Sequence, residues 1–107
     1  MDIIKSKDNK TIKYISKLRS SSKFRHSENQ FVVEGVRMCD EVLKNNCEVV
    51  YFVYSVSAYD KYKDIADKLI NISQNNLCVE DRIFCALSDT KTPQGVLCVV
   101  KTLHLSR

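Results

Sequence analysis

Hydrophobic residues recur along this chain in two alternating patterns, one with the spacing of a helix and one typical of strands. Residues 9–20 carry Ile12, Ile15 and Leu18 at helical spacing, with lysines on the opposite side. Residues 49–54 form a continuous aromatic and β-branched run, which is typical of a strand covered on both faces. The same reasoning predicts further helices at 36–45, 58–71 and 81–87, and further strands at 31–33, 77–79 and 95–100.

The predicted order of elements is α-β-α-β-α-β-α-β. Such alternation predicts an α/β fold with a mainly parallel sheet of about four strands and helices on both faces. Residues 20–30 show neither the helical nor the strand pattern of hydrophobic residues, and we expect them to form a loop. We expect one domain over residues 1–101, with residues 102–107 as a linker stub because the pattern is lost there.

Composition narrows the class of protein. Of 107 residues, 44% are hydrophobic and 28% are charged, which is typical of a globular domain rather than a disordered chain. The longest apolar run, residues 49–53, is too short to span a bilayer, and the N-terminus lacks the apolar segment of a signal peptide. We therefore expect a cytoplasmic protein without a membrane partner.

The five cysteines do not suggest a special chemistry. Their number is odd and no Cys-x-x-Cys pair occurs, so neither a disulfide framework nor a zinc site is predicted. Each has apolar neighbours, which favours the role of a small buried hydrophobic residue.

Charge is distributed unevenly along the chain. Residues 1–25 contain eight basic and two acidic residues, whereas residues 26–107 contain nine basic and eleven acidic ones. A positive charge concentrated at one end favours a polyanionic partner, although a solvated helix face would look the same. Lys13 and Lys17 lie on the polar side of the first predicted helix.

No set of residues has the pattern of an active site or a metal site. The sequence has no glycine-rich nucleotide loop and no His-Glu-x-x-His motif. Its two histidines, His26 and His104, lack partners at recognisable spacing for nucleophilic catalysis. We therefore predict neither catalytic residues nor metal ligands.

The segment around Phe24 is better suited to binding. Lys23 and Arg25 can neutralise phosphates, and neighbouring serines can add hydrogen bonds. Phe24 has two possible roles, because an exposed ring could stack on an unpaired base and a buried one would pack in the core.

Three segments together resemble a known family. They are residues 18–25 (Leu-Arg-Ser-Ser-Ser-Lys-Phe-Arg), residues 31–37 (Phe-Val-Val-Glu-Gly-Val-Arg) and residues 87–97, which contain Thr-Pro-Gln-Gly. In this order and spacing they resemble the N-terminal substrate-binding domain of the SpoU-type, or TrmH-like, RNA ribose 2'-O-methyltransferases. The resemblance covers residues 9–101 and implies a three-layer α/β/α sandwich like that of small ribosomal proteins that bind kinked RNA.

The resemblance implies RNA binding, either to ribosomal or to transfer RNA. It places RNA contacts on Arg19, Lys23, Arg25 and Arg37, beside the lysines named above. Glu34 would hold the neighbouring basic segment through a charge-assisted bond, and Gly35 would permit a turn. The remaining residues that match the family motif are expected to shape the structure: Phe31, Thr92, Pro93, Gln94 and Gly95.

The resemblance also implies that methyl transfer belongs to another domain. S-adenosylmethionine is expected to bind in a following catalytic domain, which this sequence does not contain, and no cofactor is expected in residues 1–107. That domain commonly forms a homodimer, so we expect the present chain alone to be a monomer. The competing hypotheses are an adaptor domain that binds proteins rather than RNA and, less favoured, a stand-alone enzyme.

Overall fold

The computed structural model describes residues 2–102, which form a single mixed sheet with helices on both faces. The strands are β1 (Ile3–Ile4), β2 (Gln30–Glu34), β3 (Val49–Ser55), β4 (Asn75–Val79) and β5 (Val96–Lys101). The helices are α1 (Lys10–Ser20), α2 (Ser22–Glu28), α3 (Val36–Lys44), α4 (Val56–Lys61), α5 (Lys63–Ile72) and α6 (Asp81–Leu87). The linker predicted at 102–107 lies outside the described residues, apart from Thr102.

The sheet has the order β1-β4-β3-β5-β2, and its two kinds of strand pairing correct the predicted architecture. β1, β4 and β3 are parallel, whereas β5 is antiparallel to both β3 and β2. The expectation of about four mainly parallel strands was therefore wrong. β4 ends at Val79, which pairs with Ser55, and β5 begins at Val96, which pairs with Tyr54, so both lie at the same end of β3. The chain therefore leaves β4, passes through α6 and the loop of residues 88–95, and re-enters the sheet at that end in the opposite direction.

Each face of the sheet has its own hydrophobic core. Helices α1, α2 and α6 cover one face, where Ile15, Leu18, Phe84 and Leu97 are buried. Helices α3, α4 and α5 cover the other face around Phe52. β3 and β5 contribute alternate side chains to both cores, which explains the continuous apolar runs in their sequences.

The segment predicted as a loop contains α2. Ser21 begins this helix, because its Oγ accepts a hydrogen bond from Phe24 N at 3.1 Å. Asn29 ends it in the left-handed conformation, with φ of 56°. Phe24 is the only apolar residue of the helix, so the sequence shows no periodicity there.

Two further differences from the prediction are small. The helix expected at 58–71 is two helices, because Tyr62 leaves the helical conformation (φ −123°, ψ 41°). β1 was missed because two residues are too few to show a period. Asn9 caps α1, because its Oδ1 accepts hydrogen bonds from Thr11 N at 2.9 Å and from Ile12 N at 3.2 Å. Across residues 2–102, no helix is both long enough and apolar enough to cross a membrane.

The cysteines differ in accessibility. Cys39, Cys78 and Cys98 are buried and Cys47 is half-buried, but Cys85 is exposed on α6, contrary to the expectation of burial. The Sγ atoms of Cys39 and Cys98 lie 3.5 Å apart. This hydrogen bond to Cys39, together with burial, raises the pKa of the Cys98 thiol far above its usual value.

We therefore expect selective alkylation of the folded protein. N-ethylmaleimide should modify Cys85 first, whereas Cys39 and Cys98 should react only as the protein unfolds, because thiolate and access are both required. Mass spectrometry of peptides taken over a time course would measure this order. Equal rates for Cys85 and Cys98 under native conditions would contradict the buried placement of Cys98.

Candidate nucleic-acid interface

The three segments that carry the sequence resemblance meet at one place in the fold. Arg19, near the end of α1, pairs with Glu34 at the end of β2 through its Nη2 atom. Its Nη1 atom lies 2.5 Å from Asp89 Oδ2, in the loop that precedes β5. The side chains of Arg19 and Glu34 are only 13% and 11% exposed, whereas that of Asp89 is 76% exposed. The Arg19–Glu34 pair is therefore a mostly buried ion pair that connects α1 to β2.

Glu34 has a second partner in the same loop. Ser88 Oγ donates a hydrogen bond to Glu34 Oε2, and it accepts one from Thr90 N at 3.0 Å. Glu34 thus uses one carboxylate oxygen for α1 and the other for the loop. A carboxylate that is mostly buried needs such partners, because an unpaired buried charge is costly.

A second set of bonds joins β2 to the other end of the loop. Gln94 Oε1 accepts a hydrogen bond from Val36 N at 2.8 Å, and Gly35 N donates to Val96 O at 2.9 Å. Gly35 has φ of 97°, in agreement with the predicted need for a permissive backbone. Gly95 has φ of 95° and its carbonyl accepts from Ser55 N at 2.9 Å.

The other predicted motif residues lie nearby with fewer contacts. Thr92 is exposed and Pro93 is half-buried in the loop between α6 and β5. Phe31 pairs with Val100 in the sheet, and its side chain is 37% exposed. Arg37 is exposed in the first turn of α3, directly after the turn at Gly35.

The predicted lysines lie on the solvent side of α1 and α2. Lys13, Lys17 and Lys23 are all exposed. Lys13 Nζ lies 3.9 Å from Asp8 Oδ1, and this exposed pair contributes little to stability. Lys17 Nζ lies 4.4 Å from the centroid of the Phe24 ring, which joins the two helices.

Phe24 packs within the protein. Its ring meets that of Tyr14 edge-on at 5.4 Å between centroids, and it lies against the core on the α1 side of the sheet. Of its two possible roles, the structure therefore shows packing. The Tyr14 hydroxyl lies 2.9 Å from Glu28 Oε1 and 2.7 Å from Gln30 Oε1, and burial followed by the hydrogen bond to Glu28 raises the pKa of this phenol.

Arg25 ties α2 to the end of α1. Its Nη1 atom donates to the carbonyl oxygens of Leu18 at 2.7 Å and Arg19 at 2.8 Å. These are carbonyls of the last turn of α1, where a cation is favourable. In the described part of the chain no carboxylate pairs with Arg25, so its charge is not neutralised locally.

Sequence reasoning named most of this arrangement but missed Ser88 and Asp89 as partners. Both occur in the third matching segment, but a serine and an aspartate in a turn-rich loop are common for local reasons. Glu34 was expected to hold the basic segment after α1, and it instead holds Arg19 within α1. No group of three His, Cys, Asp or Glu side chains within residues 2–102 is arranged to hold a metal ion.

A protein-family model matches most of this sequence. The model of the MRM3-like substrate binding domain matches residues 9–98, which include α1, the Glu34–Gly35 turn and most of β5. No curated protein matches the sequence.

Several solved structures share the fold. An rRNA methyltransferase from Sinorhizobium meliloti superimposes with a TM-score of 0.80 over 97% of this chain, at 19% identity. An RNA 2'-O ribose methyltransferase gives 0.75 over 99% at 23% identity, and the SpoU methyltransferase AviRb from Streptomyces viridochromogenes gives 0.72 over 90% at 17% identity. The matched regions are 38%, 41% and 36% of those chains, so this chain spans about two-fifths of their length.

Proposed function

Because the chain belongs to the family of MRM3-like substrate-binding domains, we propose that it binds the RNA substrate of a SpoU-type ribose 2'-O-methyltransferase. The observation that supports RNA as the ligand is the basic surface of α1 and α2, defined by Lys10, Lys13, Lys17 and Lys23. All four side chains are exposed, and no acidic residue occurs in the first turn of either helix. Such a surface is complementary to a phosphate backbone.

Arg25 and Arg37 extend this surface in the proposal. Arg25 is held by main-chain carbonyls and keeps its charge, and Arg37 is exposed near the turn at Gly35. Arg19 has a different role, because its guanidinium is already paired with Glu34 and Asp89. We assign Arg19 to organising the junction of α1, β2 and the loop before β5.

Methyl transfer would then belong to a further domain of the parent protein. A cavity of about 500 Å³ among the described residues is lined by apolar side chains together with Asp60 and Asp67. Its lining includes no basic side chain for the carboxylate of S-adenosylmethionine, and we propose no cofactor site there. We propose that the parent binds the cofactor and dimerises through its other domain, in the cytoplasm, and that this chain alone is a monomer that binds ribosomal or transfer RNA.

A triple alanine variant of Lys13, Lys17 and Lys23 tests the RNA-binding surface. It should bind a fluorescently labelled RNA hairpin more weakly, and the slope of log affinity against log salt should decrease by roughly 0.7–0.9 for each phosphate that a lysine no longer neutralises. Fluorescence anisotropy at several salt concentrations would measure both quantities.

A matched control removes the same charge from the opposite face of the sheet. Lys61, Lys63 and Lys68 are exposed on α4 and α5. Their triple alanine variant should keep most of the affinity and the slope. Equal losses in the two variants would show binding to net charge alone, and no binding by the wild type at low salt would favour an adaptor that binds proteins.

A further inference from the structure

A small polar pocket lies where α1 and α6 end, on the face of the sheet that both helices cover. Its volume is about 190 Å³, and it is lined by Ser16, Arg19 and Ser20 of α1, by Leu87 of α6, and by Asp89 in the loop that follows. Because α1 also carries exposed lysines of the proposed RNA-binding surface, the pocket lies beside groups that are suited to phosphates.

The ionised side chains at this pocket have a net negative charge. Arg19 supplies one positive charge, whereas Glu34 and Asp89, which both pair with it, supply two negative charges. Asp89 is 76% exposed, and it uses Oδ2 for Arg19, while its Oδ1 atom has no hydrogen bond to the described residues. A phosphate would be repelled from this carboxylate, whereas a group that donates a hydrogen bond would be bound.

The main chain and the serines add to this preference for donors. α6 ends at Leu87, and the last carbonyl groups of a helix have no partner within that helix. Ser16 and Ser20 are exposed, and their hydroxyl groups can also accept hydrogen bonds. The pocket is therefore rich in acceptors, although the surface of α1 around it is basic.

Each of the two serines has a lysine as its neighbour on α1. Lys13 precedes Ser16 by three residues, and Lys17 precedes Ser20 by three, so each pair shares one side of the helix. A ligand that extends from the lysines into the pocket would meet cations first and the carboxylate of Asp89 next. RNA has the matching pair of groups, because each phosphate of its backbone is next to a ribose 2'-hydroxyl that can donate a hydrogen bond, and DNA lacks that hydroxyl.

We propose that this pocket binds a ribose 2'-hydroxyl of the RNA, which donates a hydrogen bond to Asp89 Oδ1 while Lys13 and Lys17 contact the flanking phosphates. The inference rests on the proposed function and deepens it, because it names the group by which the domain distinguishes RNA from DNA. The Asp89 carboxylate repels any polyanion, and only a ligand with a 2'-hydroxyl offsets this repulsion with a charge-assisted hydrogen bond.

Two forms of one hairpin test this contact. The first is unmodified RNA, and the second carries 2'-fluoro groups, which keep the charge and the RNA-like helix but cannot donate a hydrogen bond. The wild type should bind the 2'-fluoro hairpin roughly tenfold more weakly, because a hydrogen bond to a charged group is lost. Fluorescence anisotropy would measure both affinities, and equal values would overturn the proposal.

Asp89→Ala tests whether the preference arises at this pocket. The variant should bind the two hairpins about equally, and it should bind the 2'-fluoro hairpin more tightly than the wild type does, because a negative charge is removed. Asp8→Ala is the matched control, since Asp8 is also an exposed carboxylate beside this surface, with Oδ1 3.9 Å from Lys13 Nζ. It should strengthen binding of both hairpins and keep the preference. An unchanged preference in Asp89→Ala would overturn the proposal.

The two proposals can fail separately. If the wild type binds neither hairpin at low salt, the proposed function fails. If the wild type binds both hairpins equally well, only the 2'-hydroxyl contact fails. Thermal unfolding shows whether Asp89→Ala is folded. If it is not, Asp89→Asn takes its place, because it keeps the shape of the side chain but loses the charge, and it should lower the preference.

Discussion

Replacing Arg19 with alanine is expected to lower the free energy of unfolding by about 3 kcal/mol, because it leaves the mostly buried Glu34 carboxylate without its cationic partner. The loop before β5 also loses its link to α1, since Asp89 binds the same guanidinium. Urea denaturation followed by circular dichroism would measure the change.

Two comparison variants separate the buried pair from the exposed one. Asp89→Asn removes the 76% exposed partner and should cost less than about 1 kcal/mol. Replacing both Arg19 and Glu34 with methionine and leucine should recover much of the stability, because no buried charge then remains unpaired. Equal losses for Arg19→Ala and Asp89→Asn would contradict the central role of the Arg19–Glu34 pair.

Gly95→Ala is expected to destabilise the domain by about 4 kcal/mol, from backbone strain together with overpacking. Gly95 has φ of 95°, and an added Cβ would lie 2.4 Å from Ser55 Oγ and 2.8 Å from Ala58 Cβ. Ser55 Oγ cannot move without loss, because it accepts the hydrogen bond from Ala58 N that begins α4. Thermal and urea unfolding would show the loss.

Gly35→Ala is the matched control for Gly95→Ala. Gly35 has a similar φ of 97°, but an added Cβ would meet only Gln94 Oε1, at 3.1 Å, the end of a flexible side chain. It should therefore cost the backbone strain alone, about 1–3 kcal/mol. A loss for Gly35→Ala as large as that for Gly95→Ala would contradict the clash with Ser55, and Ser55→Ala added to Gly95→Ala should recover part of the stability.

The parts of the fold that were predictable are those with long apolar patterns. The stripe of Ile12, Ile15 and Leu18 correctly predicts α1, and the runs in β3 and β5 correctly predict buried strands. Strand direction was not predictable in this way, because a run of apolar residues looks the same for a parallel and an antiparallel strand. β5 is antiparallel because the chain re-enters the sheet at the end where β4 stops, and Ser88 and Asp89 in the preceding loop bond to Glu34 and Arg19.

The candidate site was also predictable only in part. The resemblance named Glu34 and Gln94 as motif residues and Arg19 as an RNA contact, and the structure shows that all three connect the matching segments. Charge and spacing cannot tell whether an arginine faces solvent or a carboxylate, so Arg19 and Lys23 looked alike in the sequence. The same limit applies to Phe24 and Phe31, because burial of an isolated aromatic residue depends on which helix covers it.

The position of β5 has a consequence for the order in which the domain can assemble during synthesis. Among the strands of residues 2–102, β5 is translated last, yet it is the one that pairs with β2 and separates it from β3. Until residues 96–101 have left the ribosome, the strand that carries Phe31 and Glu34 has no partner for its main chain. The nascent chain can therefore pair β3 with β4 early, but β2 gains its place in the sheet only when β5 has been translated.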